Sequence, residues 1–317
     1  MTRTEEKREM DMQLMKRMQE MRNYIRETQP LIHCITNPIS IHDCANVILA
    51  TGARPIMAEH PKEVEEITAV SSALMLNLGN ITDVRMESMR LALAQANRDK
   101  IPVILDLVGV TCSHLRRRFA ESLLEDGQFA VIKGNISEIL AVASLPFHGT
   151  GIDAGAEDAV SEENQSQRGE VAKSLAKTLG CAVLATGKKD LVAVSDQAFL
   201  VSNGDLALSG ITGTGCMVGA LTASYLPAVS TGSPSSSMGR IKFTNSEHLV
   251  GDSYAESESA FSELALSAVL GVVTMGIAGE KATKVSHGPG SFQTSLLDEI
   301  FCLSDEEFAG KAQIFPL

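Results

Sequence analysis

The chain has 317 residues, 44% of them hydrophobic and 21% charged, which is enough apolar content for a full core and too much for a disordered chain. Its 27 Lys and Arg against 39 Asp and Glu give a net charge of -12, a field that repels nucleic-acid backbones and anionic lipid surfaces and weighs against both as partners. An anionic substrate therefore needs a local positive site or a metal ion.

From the N-terminus, residues 5–27 place Met10, Leu14, Met18, Met21 and Ile25 at helical steps along an otherwise charged segment. Such a stripe is expected to dock on the core or on a second subunit. From residue 31 the pattern changes to short apolar runs separated by amphipathic stretches. The expected strands are 31–35, 54–58, 73–78, 103–107, 130–133, 182–186 and 191–194. Helical patterns at 41–50, 83–98 and 169–179 lie between them, bounded by Gly, Pro, Asp or Asn. This alternation predicts an α/β fold, a mostly parallel sheet with helices on both faces.

Two stretches interrupt the alternation and read as exposed loops, 146–167 and 229–259. The apolar run 264–278 falls short of the ~20 residues of a spanning helix and reads as buried. No internal repeat is visible, and neither loop divides two self-sufficient cores. A helical extension at 1–28 and one domain at 29–317, with an insertion at about 229–259, are expected.

The six cysteines, Cys34, Cys44, Cys112, Cys181, Cys216 and Cys302, form no CxxC pair and no zinc-like spacing. With no secretory h-region after the charged N-terminus, a reduced, cytoplasmic protein is expected.

The sharpest local signal is Ile211-Thr212-Gly213-Thr214-Gly215-Cys216, followed by the helical pattern 217–225. Glycines opening a helix leave unpaired N–H groups at its positive end, which makes a hole for anions, although such turns are also common as plain structure. Cys216 stands where a thiol is activated, or is simply buried and inert.

In Lys133-Gly134-Asn135-Ile136-Ser137-Glu138, Asn135 and Glu138 share a helix face, fitting either oxygen ligands for Mg²⁺ beside phosphate or a helix cap. Asp106 ends the strongest strand, at the sheet edge where open α/β sheets gather ligands. Asn37, the run Asn77-Leu78-Gly79-Asn80 and Thr186-Gly187 also follow strands. Five polar or glycine-rich turns at one edge argue for a site. His33, His42 and His60 form no metal motif and read as structural.

These residues resemble the hydroxyethylthiazole kinases, within the ribokinase-like superfamily. The matching stretches are 30–37 (PLIHCITN), Ala45-Asn46, 49–58 (LATGARPIMA), Gly134-Asn135 with Glu138, the Thr-Gly-x-Gly-Cys turn, and 288–292 (GPGSF). The resemblance implies ATP- and Mg²⁺-dependent phosphorylation of 4-methyl-5-(2-hydroxyethyl)thiazole by a homotrimer with active sites at subunit interfaces. By motif position it puts Asn37, Met57, Gly79 and Gly213 at the thiazole, Lys133, Asn135 and Thr186 at ATP, and Asp106 and Glu138 at Mg²⁺. Gly213, Gly215 and Cys216 would then serve the transfer itself. Three positions depart from the family pattern: Leu107 stands for a usual Pro, Lys133 for Arg and Pro38 for Asn. Two other functions fit parts of the pattern, a nucleotide-dependent dehydratase of damaged nicotinamide cofactors and a non-catalytic thiazole-binding protein.

Overall fold

The computed structural model describes residues 3–143, 165–230 and 262–317. A long helix, α1 (Arg3–Thr28), leads into β1 (Leu31–Ile35), α2 (Ile41–Thr51), β2 (Arg54–Ile56), α3 (Val64–Ala69) and β3 (Ala73–Asn77). Then follow α4 (Asp83–Asp99), β4 (Val103–Asp106), α5 (His114–Asp126), β5 (Val131–Asn135), α6 (Ile136–Val142), α7 (Gln165–Leu179) and β6 (Ala182–Thr186). A meander of β7 (Asp190–Ala193) and β8 (Ala198–Val201) precedes α8 (Thr214–Tyr225), α9 (Glu263–Val285), α10 (Pro289–Cys302), α11 (Asp305–Lys311) and β9 (Ile314–Pro316).

The strands form one sheet in the order β2-β1-β3-β4-β5-β6-β7-β8-β9. Pairings from β2 through β6 are parallel, and the last three are antiparallel. The central strands are apolar on both sides because helices cover both faces. One core joins the sheet to α1, α2, α8, α9 and α10, and the other joins it to α4, α5, α6 and α7.

Local chemistry fixes the helix starts. Thr82 and Ser113 accept from the N–H groups of Arg85 and Arg116 and so cap α4 and α5. The stripe on α1 is buried where its side chains are described: Leu14, Met18, Met21 and Ile25 all join the first core. Arg22 adds an ion pair to Asp305 at 2.8 Å.

Three features differ from expectation. Strands β8 and β9 lie beyond the last expected strand. The first is a four-residue apolar run with no alternation, and the second is a three-residue edge strand holding Pro316. Helix α7 starts at Gln165, inside the stretch expected as loop; the rest of that loop, and almost all of 229–259, lie outside the described residues. Helix α9 runs on past Ala278 through Glu280, Lys281 and Lys284 to 23 residues. By length and composition it could cross a membrane, yet it is buried against α8, α10 and the sheet.

Candidate active site

The parallel register lines up the polar strand ends. Asn77 pairs with Asp106 across β3 and β4, Asp106 with Lys133 across β4 and β5, and Asn135 with Thr186 across β5 and β6. Register partners point to the same face, so Asn77, Asp106 and Lys133 converge beneath α8.

There the Lys133 ammonium donates to both Asp106 oxygens, at 2.9 and 3.0 Å. Asn77 Nδ2 donates to Asp106 Oδ2 at 3.0 Å. Asn77 Oδ1 accepts from Gly79 N at 2.8 Å and from Asn37 Nδ2 at 3.3 Å, and Asn37 Nδ2 also donates to Cys216 Sγ at 3.2 Å. Burial works most strongly against the ammonium, but the Asp106 charge and hydrogen bond, together with other nearby groups, outweigh it and hold the Lys133 pKa above the ordinary lysine range. Burial likewise pushes the Asp106 carboxyl up, with Lys133 and Asn77 acting against that shift.

Helix α8 closes over this group. Gly213 takes the left-handed conformation at φ 87°, which lets the chain turn sharply into the helix. The N–H groups of Thr214, Gly215 and Cys216 then have no intrahelical acceptor and carry the positive end of the dipole. A Cβ added to Gly215 would lie 3.6 Å from Lys133 Nζ, so the ammonium sits directly under the turn. Gly219 allows the close approach: a Cβ there would meet Met75 Cε at 2.8 Å and Asp106 Oδ2 at 3.3 Å.

Glu138 belongs to a second, adjacent set. Its Oε1 accepts from Gly109 N and its Oε2 from Asn135 N, both at 2.7 Å, while Asn135 Oδ1 accepts from Glu138 N at 2.9 Å. The capping reading of this motif is thus realised as a reciprocal capping box. Burial pushes the Glu138 carboxyl up to about 7, against the two backbone donors. Thr186 Oγ1 donates to Gly134 O at 3.3 Å, which ties the end of β6 to the same loop. Met57 is half-buried after β2 against the first core.

The histidine expectation holds for His33, whose ring is enclosed between Thr68 Oγ1 and Ala58 O at 2.9 Å each. The carbonyl can only accept, so Nε2 carries the proton. Burial lowers its pKa and keeps the ring neutral.

A model of the hydroxyethylthiazole kinase family matches residues 23–262, most of the chain. The chain belongs to the hydroxyethylthiazole kinase family. It is 43% identical over 295 residues to hydroxyethylthiazole kinase 2 of Clostridium botulinum strain Okra, covering 93% of this chain and 98% of that protein. A hydroxyethylthiazole kinase of strain Eklund 17B is 36% identical over 292 residues, covering 92% and 93%. The structure of a hydroxyethylthiazole kinase protein from Pyrococcus horikoshii OT3 superposes with a TM-score of 0.75 at 29% identity, over 95% of this chain and 99% of that one. A ribokinase-like superfamily protein from Enterococcus faecalis V583 shares the fold, with a TM-score of 0.51 at 11% identity over 85% and 86% of the two chains.

Within this kinase family the three departures have local accounts. Pro38 lacks an N–H, and Asn37 Oδ1 instead collects those of Ile39 and Ser40 at 3.1 and 3.2 Å. Leu107 is fully buried, and its N–H donates to Lys133 O at 2.8 Å, a bond a proline there could not make. Lys133, which the resemblance puts at the nucleotide, is 3% exposed and committed to Asp106. The linking role of Asn77 is not readable from spacing, because its partners lie 40 and 29 residues away in sequence. Its position at a strand end is the one signal that marks it.

Proposed function

We propose that the chain phosphorylates the primary hydroxyl of 4-methyl-5-(2-hydroxyethyl)thiazole with ATP, a step of thiamin salvage. The observation that carries this reading is the Gly213–Cys216 turn, with its unpaired N–H groups, stacked over Lys133 and Asp106 and joined through its Cys216 to Asn37. Phosphoryl transfer needs alignment and charge stabilisation more than covalent chemistry, and this arrangement supplies both.

In this reading Asn37, Met57, Gly79 and Gly213 hold the thiazole, while Lys133, Asn135 and Thr186 line the nucleotide side. The N–H groups from Thr214 to Cys216 receive the oxygens of the transferring phosphoryl group. Asn37 donates to the Cys216 sulfur, so the sulfur acts as an acceptor and its own S–H stays available. A loose transition state asks for little deprotonation of the alcohol before transfer, so Cys216 serves through its shape and its backbone N–H.

Asp106 and Glu138 are the carboxylates for Mg²⁺. Among the described residues no group of three or more His, Cys, Asp or Glu forms a ready cage. Asp106 Oδ1 and the two Glu138 oxygens each accept one hydrogen bond and keep a second lone pair, which fits an ion that retains its waters and travels on phosphates. When bound, the ion neutralises phosphate charge.

A homotrimer with shared sites accords with the exposed Ile39, Leu49 and Leu206, of which Ile39 lies two residues from Asn37. The buried Cys34, Cys44, Cys181 and Cys216 accord with a reduced cytoplasm.

A coupled ADP-release assay with the thiazole alcohol, with and without Mg²⁺, tests the reading. ADP should appear only when alcohol, ATP and Mg²⁺ are all present. ADP release indifferent to the alcohol would overturn it.

A further inference from the structure

The buried polar groups between the two halves of the site form one unbroken chain: Lys133, Asp106, Asn77, Asn37 and Cys216. They come from β5, β4, the end of β3, the turn after β1 and the start of α8, so no single element holds them in place. Hydrogen-bond directions along this chain leave no freedom. Asn37 Oδ1 is filled by the N–H groups of Ile39 and Ser40, so its amide nitrogen must face Asn77 and Cys216. Asn77 Oδ1 is filled by Gly79 N and Asn37 Nδ2, so its amide nitrogen must face Asp106. Flipping either amide would set N–H against N–H.

We propose that Asn77 is a positioning residue that couples the nucleotide half of the site to the alcohol half. This rests on the kinase reading above. Asn77 is fully buried and, among the described residues, is the one group hydrogen-bonded to both Asp106 and Asn37. A phosphate or its cation that engages Lys133 or Asp106 changes how firmly Asp106 holds the Asn77 amide. That change passes to Asn37, which orients against Cys216 on the alcohol side. Binding of one substrate thereby alters affinity for the other, and linkage requires the same factor in both directions.

The experiment is calorimetric titration of the full chain with the thiazole alcohol, with and without the Mg²⁺ complex of a non-hydrolysable ATP analogue, and the reverse titration. In the parent, each ligand should change the Kd of the other by the same factor, about 5-fold or more. In Asn77→Ser the hydroxyl is too short to span both partners. The factor should fall to within about 2-fold of unity and kcat should drop at least ~10-fold, while each separate Kd stays within about 3-fold of the parent.

A parent factor of one, or an Asn77→Ser factor equal to the parent's, overturns the proposal. If Asn77→Ser lacks a cooperative thermal transition, Asn77→Thr takes its place, because its hydroxyl is equally too short to span both partners and its branched Cβ suits a strand. The two readings fail separately. No alcohol-dependent ADP release by the parent removes the kinase reading, whereas turnover with a coupling factor of one removes only the role of Asn77.

Discussion

The Lys133 ammonium and the Asp106 carboxylate face each other with almost no solvent access, so removing either partner leaves a buried, unpaired ion. Lys133→Met should therefore destabilise the protein by about 3–5 kcal/mol as well as suppress turnover. Adding Asp106→Asn to it should return part of the stability and none of the activity. Urea midpoints at a constant slope, with kcat from the ADP assay, separate the two effects. An unchanged midpoint for Lys133→Met would mean that water already reaches the pair. Glu138 makes a pH-dependent case. Burial raises its folded pKa from 4.5 to about 7, so the folded state binds the proton more tightly than the unfolded chain. Its contribution is then full below the unfolded value and is lost as pH rises through the folded one. Without ligands, the Tm of the parent minus that of Glu138→Gln should fall from about pH 5 to about pH 8. A gap that stays constant across that range would show that Glu138 is ionised throughout. Sequence could mark Asp106, Lys133 and Glu138 because each closes a strand or opens a helix. It could not reveal that Lys133 turns inward to a carboxylate, since that depends on the register of β4 against β5.

Helix α1 was legible from its periodicity because a four-turn apolar stripe on a charged segment has one way to bury itself. Met18, Met21 and Ile25 are fully buried, and the guanidinium of Arg22 lies 4.8 Å from the Phe308 ring centroid. The helix is thus part of the core, and Met21→Ala should cost about 2–5 kcal/mol through lost burial and the cavity left behind. A calorimetric scan checks this, and a shift within error would show that α1 is only loosely docked. Helix α10 gives the GPGSF stretch a structural role of its own. Ser291 Oγ accepts from the N–H groups of His287 and Gly288, at 2.9 and 3.2 Å, and Gln293 Nε2 ties the helix to Asp43 of α2 at 3.0 Å. Strands β8 and β9 escaped notice for a physical reason. Strands of four and three residues, the second at the sheet edge, take their stability from their partner strands, which leaves little alternation for a sequence pattern to carry.

At the scale of the molecule, the alternation of apolar runs and amphipathic stretches made the mostly parallel sheet legible, but the net charge carries a consequence for the reaction as well. The field of -12 opposes an incoming nucleotide. The best-placed cation, Lys133, is already neutralised by Asp106, so the anion-holding turn relies on backbone N–H groups and the helix dipole, which act only at close range. Long-range repulsion is therefore not offset before contact. Added salt screens it, as the Debye length falls from about 30 Å at 0.01 M to about 8 Å at 0.15 M. At fixed free Mg²⁺, the KM for ATP should fall by about 2- to 3-fold over that range, while the KM for the uncharged thiazole alcohol and kcat stay level. A KM for ATP that rises with salt would mean that a local cationic surface outweighs the net charge. Lys188 and Lys189, in the turn that follows Thr186, are the first side chains to neutralise in that event, because they flank the strand end where the nucleotide is proposed to lie.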